Sequence, residues 1–591
     1  MTIPHWPNLT TMFFEQAETL GDKPFLWDKK DGAYSPITWK EAADRVSGIA
    51  KGLLEIGITA TDRVILVSEN RADWLISDVA IMSIGAITVP AYTTNTTENH
   101  AHIIADSGAK AAIISNQKLL TPFIPAAVDT GEIEFIVSME APNDQSGNLE
   151  ITLLSLDELI ERGAPRDENI STIAEQWKRD DLSCIIYTSG TGGLPKGVML
   201  HHGAILHNCA GSYAALVDLG LGDERFLSFL PLSHSYEHSA GQFFPISIGA
   251  QIYYAEGIDK LATNMAESQP TIMTAVPRLY ETMYEKINRG VKKQGGMKER
   301  LFNAAYRLGA KRFTAPGSLS LPERLSDKLL DKLVRDKVRA RFGGHLKALV
   351  SGGAPLNPDI GLFFTALGLT LLQGYGQTES APVISVNKPS RIKMHTVGEI
   401  FPDTEVRIAH DGEILCRGEL VMLGYWQNEE ATRDVISSDG WLHTGDIGEF
   451  DEDGHLMITD RKKDIIVNSG GDNIAPQRIE GILCLQPEIA QAMVYGDKRS
   501  HLVALIVPDD TWMREMGFTG NSPEATQGIK KGIEQAIKRI NGEVSNIEKV
   551  RHHILADEPF TINNGEMTPT MKVRRVILKA RYGEALEALY S

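Results

Sequence analysis

The chain has 591 residues, 42% of them apolar and 23% charged, with a formal net charge of −18. This is the balance of a globular protein long enough for several cores, and it excludes a disordered or fibrous chain. The acidic excess argues against a general nucleic-acid binder, which carries a basic face.

The first 180 or so residues alternate in character. Trp39 to Ile56 reads as an amphipathic helix, Arg63 to Ser68 as a buried strand and Trp74 to Ile84 as a helix. Ala86 to Pro90 and Ala111 to Ser115 read as two further strands. Such alternation predicts βαβ units and a largely parallel sheet, whose ligand loops lie at the carboxyl ends of its strands. A short apolar strand, Cys184 to Tyr187, runs into YTSGTGGLPKG (Tyr187 to Gly197). Its glycines let backbone approach an anion, its hydroxyls and amides donate, and Lys196 adds a point charge, which suits a polyphosphate. Pro195 and Gly197 exclude a Walker A loop, and the bland alternative is a turn-rich loop without a ligand.

Between Glu285 and Arg341 there are sixteen Lys and Arg against six Asp and Glu. Leu325, Leu329, Leu330, Leu333, Val334 and Val338 recur there at helical spacing. A solvated surface helix pair and a basic lobe meeting an anionic membrane or substrate phosphates both fit. Before Asp460 the chain is turn-rich, as in β-hairpins, at Asp439-Gly440 and at Asp451 to Gly454. After it comes RKKD and a compact segment with its own helix–strand pattern, which places a domain boundary and hinge there. The four cysteines, Cys184, Cys209, Cys416 and Cys484, form no CxxC pair, so free thiols are expected. The start, MTIPHWPNLTTMFFEQ, has no secretory pattern. The apolar runs Val79 to Ala91 and Leu362 to Leu372 fall short of the ~20 residues of a spanning helix, so a cytoplasmic protein is expected.

With YTSGTGGLPKG, four further blocks follow in order: SGGAP at Ser351 to Pro355, GYGQTE at Gly374 to Glu379, HTGD at His443 to Asp446 and MTPTMKVR at Met567 to Arg574. Taken alone, GYGQTE reads equally as a strand-end turn. Together the blocks closely resemble those of the adenylate-forming enzymes, the superfamily of acyl-CoA synthetases, luciferases and peptide-synthetase adenylation domains. This chain has Gly192 where the family usually has Thr, one hydroxyl fewer in the loop. The resemblance covers essentially the whole chain. It implies an α/β fold: a large body over 1–460, of mostly parallel α/β subdomains plus a β-rich subdomain, and a small mobile α+β domain over 461–591.

By that resemblance Thr188, Ser189, Gly190, Thr191 and Lys196 cradle the phosphates of ATP. Gly352, Gly353 and Ala354 line the adenine, Tyr375 stacks on it, and Gly376 belongs to the same block. Thr378 meets the α-phosphate, Glu379 binds Mg²⁺, and Asp446 accepts from the ribose hydroxyls. Arg461 reaches the ribose and phosphates, and Lys463 stands at the pivot of the small domain. Gly470 and Gly471, in NSGGDNIAP, lie along the pantetheine of CoA. Lys572 is the catalytic lysine, a role that spacing alone would share with Arg574, Arg575 and Lys579. The basic segment and the RKKDIIVNSGGDNIAPQ form look most like long-chain acyl-CoA synthetases. FLPLSHSYEH (Phe229 to His238) corresponds to the carboxylate and acyl tunnel, and it has no Asp of the kind that anchors an amino acid. His234 there is either a contact of the carboxylate or acyl chain, or a histidine packed beside the nucleotide. His238 lies about where some fatty-acid enzymes carry a tryptophan gate. The expected activity is formation of acyl-AMP from a fatty acid and ATP, then of acyl-CoA. The rivals are a ligase that hands its acyl group to a carrier protein, and a CoA ligase for a short or aromatic acid. A non-catalytic nucleotide-binding regulator is a more distant one.

Overall fold

The computed structural model describes residues 3–142, 151–188, 194–470, 472–518, 522–562, 564–568 and 573–590. The run RVILV forms the strand Arg63–Val67, almost wholly buried and flanked in parallel by Ile87–Pro90 and Ala111–Ile114. Continuous β-branched and aliphatic residues suit a strand covered on both faces. The helix Trp39–Glu55 begins at a capping box between Thr38 and Glu41, and buries Val46, Ile49 and Leu53. The helix Ala72–Ser83 is buried along nearly its whole length. Counted over the described residues, this sheet has eight strands. It runs from the edge strand Gly424–Tyr425 through Lys196–His201 and Leu182–Thr188 to Thr152–Ser155.

A second sheet of nine strands has a parallel centre, Leu371–Gly376, Ala348–Ser351, Ile272–Ala275, Arg225–Ser228 and Gln251–Tyr254. A four-stranded antiparallel sheet follows, containing the hairpin Leu442–Phe450 and Leu456–Arg461 foreseen from the turn residues. The last part of the chain has its own core. There Ile489–Tyr495, Leu502–Pro508 and Val550–Leu555 form a small sheet against the helices Pro476–Cys484 and Pro523–Ile540. The architecture is therefore a large, mainly parallel α/β body with a β-rich part, and a small α+β unit at the carboxyl end. All four cysteines are unpaired. No helix among the described residues is long and apolar enough to cross a membrane.

The basic segment departs from expectation. The expected apolar face is split: Leu330 and Val334 are buried, but Leu325, Leu329 and Leu333 are exposed. The cause is a break in the helix. Leu321–Leu330 passes into a π-helical stretch, Asp331–Arg335, before Asp336–Arg341. The fully buried Arg335 donates there to Ala305 O and Ala366 O and pairs with Asp327 (2.6 Å). A buried guanidinium requires such partners, and it takes part of the inner face that leucines would otherwise fill.

A second buried ionisable group lies in another π-helical stretch, Glu237–Phe243. Glu237 accepts from Thr274 Oγ1 (2.8 Å), and a Cβ on Gly241 would fall 2.3 Å from Glu237 Oε1, so glycine makes room for the carboxyl. Burial pushes this carboxyl up to about 7 from 4.5, against hydrogen bonds that favour its charge. The folded state thus keeps a proton that the unfolded chain releases, and stability falls as pH rises from about 4.5 to 7. In thermal melts between pH 5 and 8, Glu237→Gln should gain on the wild type with rising pH, by an amount equivalent to roughly 2–3 kcal/mol. A gap between the two proteins that does not change with pH contradicts this.

Candidate active site

The carboxyl ends of strands from both large sheets open on one cavity of about 2060 Å³, whose wall is completed by the antiparallel sheet and the small carboxyl-terminal unit. That exceeds the ~300–1,000 Å³ of an ordinary small-molecule pocket and leaves room for a nucleotide and a second substrate together. Thr188 ends one strand and Lys196 begins its antiparallel neighbour, with Thr188 and Lys196 directly paired. Both line the cavity. Ser189, Gly190, Thr191 and Gly192 lie outside the described residues. The Lys196 ammonium sits 5.0 Å above the Tyr425 ring.

Gly352, Gly353 and Ala354 follow the strand Ala348–Ser351 and line the cavity. Gly353 has φ +81, and a Cβ on Gly352 would come within 3.0 Å of the Tyr236 ring, so backbone is bared at this wall. Gly376 is constrained more tightly, since a Cβ there would fall 1.7 Å from Pro382 O.

Tyr375, from the nine-stranded sheet, donates its hydroxyl to Asp446 Oδ2 (2.8 Å). Arg461, at the end of the neighbouring hairpin strand, donates Nε to Asp446 Oδ1 (3.0 Å). Each carboxylate oxygen has a second acceptor site, so Asp446 can still receive two hydroxyls of a diol. Burial and the adjoining Asp446 push the Tyr375 hydroxyl well above its usual range. For Arg461, burial works against the charge and the Asp446 carboxylate more than offsets it. Next to Arg461, burial raises the Asp460 carboxyl to about 6.

Thr378 Oγ1 lies 3.1 Å from Ser235 Oγ, which ties GYGQTE to the FLPLSHSYEH segment. Glu379 Oε1 accepts from the Tyr425 hydroxyl (2.8 Å). Among the described residues no group of three or more His, Cys, Asp or Glu is placed to hold a metal. One carboxylate beside a phosphate site is the donor set that suits Mg²⁺ held mainly by nucleotide oxygens.

His234 lines the cavity, and its Nδ1 accepts from Tyr236 N (3.2 Å). His238 is fully buried away from the cavity lining. It pairs with Asp78 (3.0 Å) and packs edge-on against Trp74 and Phe243, which is the position of a core residue. Lys463 lines the cavity. Gly470 lies in an exposed turn between Ile466–Val467 and Asn473–Ile474, apart from the cavity, and donates to Asn468 Oδ1. Gly471 and Lys572 lie outside the described residues, but Thr568 and Val573, on either side of Lys572, line the cavity.

Two groups were not foreseen from the sequence. Ser235 has the hydroxyl that meets Thr378. Tyr425 touches both Lys196 and Glu379, and no local pattern marks it, because its contacts come from pairing of Gly424–Tyr425 with Met199 and Val198. The cavity also has apolar walls from two separate cores, including Ala215, Leu216, Phe226 and Phe244 from one and Leu261 and Met265 from the other.

The overall arrangement, parallel sheets with an antiparallel sheet and a small terminal unit, is the fold of adenylation domains. The adenylation domain of a carboxylic acid reductase from Segniliparus rugosus, solved with AMP and a co-purified carboxylic acid, superposes with a TM-score of 0.75. It is 22% identical, with 99% of this chain and 94% of that one covered. The sequence profile of AMP-binding enzymes matches residues 13–426, and that of the AMP-binding enzyme C-terminal domain matches 463–591. The chain belongs to the AMP-binding enzyme family. The long-chain-fatty-acid–CoA ligase FadD15 of Mycobacterium bovis is 33% identical over 606 residues, covering all of this chain and 98% of the relative. The peroxisomal long chain acyl-CoA synthetase 7 of Arabidopsis thaliana is 31% identical, covering 100% and 87%.

Tyr425 holds Glu379 in place, so its hydroxyl should matter where that carboxylate does. Tyr425→Phe is expected to raise the Mg²⁺ concentration for half-maximal ATP–pyrophosphate exchange by about ten-fold. An unchanged Mg²⁺ dependence would remove Tyr425 from this role.

Proposed function

We propose that this chain is an AMP-forming acid–thiol ligase that joins a medium- to long-chain fatty acid to CoA. The observation that carries the reading is one cavity in which the groups we assign to the phosphates and the ribose share space with extensive apolar walls. Lys196, Thr378, Asp446 and Arg461 lie in that lining together with Phe226, Phe244 and Met265. The names of the relatives above point the same way.

In the first half-reaction Thr188, Lys196 and the intervening loop hold the phosphates, Tyr375 faces the adenine, and Asp446 with Arg461 holds the ribose. Glu379 and the phosphate oxygens would hold Mg²⁺, which supplies charge neutralisation when bound. The fatty carboxylate attacks the α-phosphorus and pyrophosphate leaves, giving the mixed anhydride acyl-AMP. Carboxylate and α-phosphate repel each other, and we assign to Lys572 the cation that bridges them, worth several kcal/mol in a dry site. His234 lies beside the carboxylate. In the second half-reaction the CoA thiol attacks the acyl carbon, AMP leaves, and the proton passes to solvent.

The two halves place different demands on one site, so the domain over 461–591 is assigned a rotation about Lys463 relative to 1–460. That motion withdraws Lys572 and brings Gly470 and Gly471 toward the pantetheine. Peripheral contact with an anionic membrane through the segment 285–341 belongs to the same reading.

With MgATP and CoA, a panel from acetate to oleate and benzoate should give AMP and thioester, with preference for the longer fatty acids. Preference for acetate or benzoate overturns the substrate class, and AMP release without thioester overturns CoA as acceptor. Lys572→Ala should lose at least about 100-fold in adenylation yet still convert supplied acyl-adenylate to acyl-CoA. Equal loss of both halves contradicts the alternation.

A further inference from the structure

The exposed leucines of the basic segment form an ordered pattern. Leu321, Leu325 and Leu329 recur every fourth residue along Leu321–Leu330, and Leu333 follows in the π-helical stretch. They are 75%, 72%, 59% and 42% exposed, respectively. Residues four apart on a helix lie one above another, so these side chains form a ridge that the other described residues leave uncovered. Arg324, Lys328 and Lys332, also exposed, form the adjoining ridge one position along.

The acids between Leu321 and Arg341 are all paired. Glu323 pairs with Lys311, Asp327 with Arg312 and Arg335, and Asp331 and Asp336 with Arg339. Among the described residues no ion pair engages Lys328, Lys332 or Lys337. The outward face is therefore apolar and positive at once. An uncovered leucine ridge flanked by lysines on a short helix suits the headgroup region of an anionic bilayer, where leucines enter the acyl boundary and lysines meet lipid phosphates.

We propose that the helix Leu321–Leu330 and the π-helical stretch after it dock this protein on an anionic lipid surface through the Leu321/Leu325/Leu329 ridge. The placement has a consequence for the substrate, which rests on the fatty-acid reading above. The helix Leu261–Ser268, whose Leu261, Ala262 and Met265 line the active cavity, packs against Asp336–Arg341 at the end of the same segment. Pro277–Gln294, which brings Leu279 and Met283 to the cavity, packs on Gly296–Thr314, and that helix packs on Leu321–Leu330. Docking thus brings an apolar wall of the cavity close to the bilayer that dissolves the fatty acid. The single-chain occupant proposed is lipid, with neither a second copy nor a protein partner required.

The test is flotation of the full chain with extruded vesicles of phosphatidylglycerol or of phosphatidylcholine, at low and high salt. The wild type should float with the anionic vesicles and not with the neutral ones, less so at high salt. L321S/L325S/L329S and K328E/K332E should each lower the bound fraction about ten-fold or more, while ATP–pyrophosphate exchange with water-soluble octanoate stays at the wild-type rate. That exchange shows that both variants are folded. Wild-type flotation of both variants, or no flotation of the wild type, overturns the proposal. So does a dimer that the leucine variant dissociates without change in vesicle binding, which would make a second copy the occupant. If vesicles bind as described but no fatty acid supports exchange, the surface stands, its folding check passing to the variants' thermal melts, and the assigned reaction falls.

Discussion

The buried carboxylate of Asp446 is where the antiparallel sheet meets the large parallel one. It lies on a strand of the antiparallel sheet, receives the Tyr375 hydroxyl from the large parallel sheet, and is paired with Arg461, which ends the next strand of its own sheet. Hydrogen bonds to a charged group are worth about 1.5–3 kcal/mol each, and removing one partner leaves a buried charge at greater cost. The groups expected to touch adenine, ribose and phosphate are thus mutually held before any nucleotide arrives. Little of the binding energy need then go to ordering them.

The cavity around this carboxylate follows from the sheets. Parallel strands end in loops on one side, and Thr188, Ser351, Gly376 and the residues after Ala275 all stand at such ends. Two sheets that present these ends to the same space give one large chamber. The glycines at Gly352 and Gly376 keep its wall free of side chains where Tyr236 and Pro382 press closest.

Much of this was legible in the sequence, for reasons that differ by residue. Arg63 to Val67 and Trp39 to Glu55 were readable because burial pattern and capping are local. The placement of Thr378, Glu379 and Asp446 on one cavity was readable because each lies in a contiguous motif. Tyr425 was not, since its contacts arise from pairing across the sheet, with Lys196 on one side and Glu379 on the other. Helical spacing also misjudged Leu325, Leu329 and Leu333. Periodicity reports which side chains share a face, and the buried Arg335 changed which face turns inward. Gly470, placed in an exposed turn, shows the limit of a motif whose ligand contact depends on where a whole unit sits.

The edge strand Gly424–Tyr425 closes the eight-stranded sheet by pairing with Val198 and Met199, far back in the chain. On a ribosome, the strands from Arg63 to His201 emerge and can associate well before Tyr425 is synthesised. Contacts of such wide sequence separation form late, and domains tend to assemble from the amino end. The nascent body therefore passes through a stage with its first sheet largely built and its Lys196 wall unfinished. During that interval it has no assembled pocket for ATP, and an open sheet edge is exposed to any chaperone or aggregating neighbour that reaches it first.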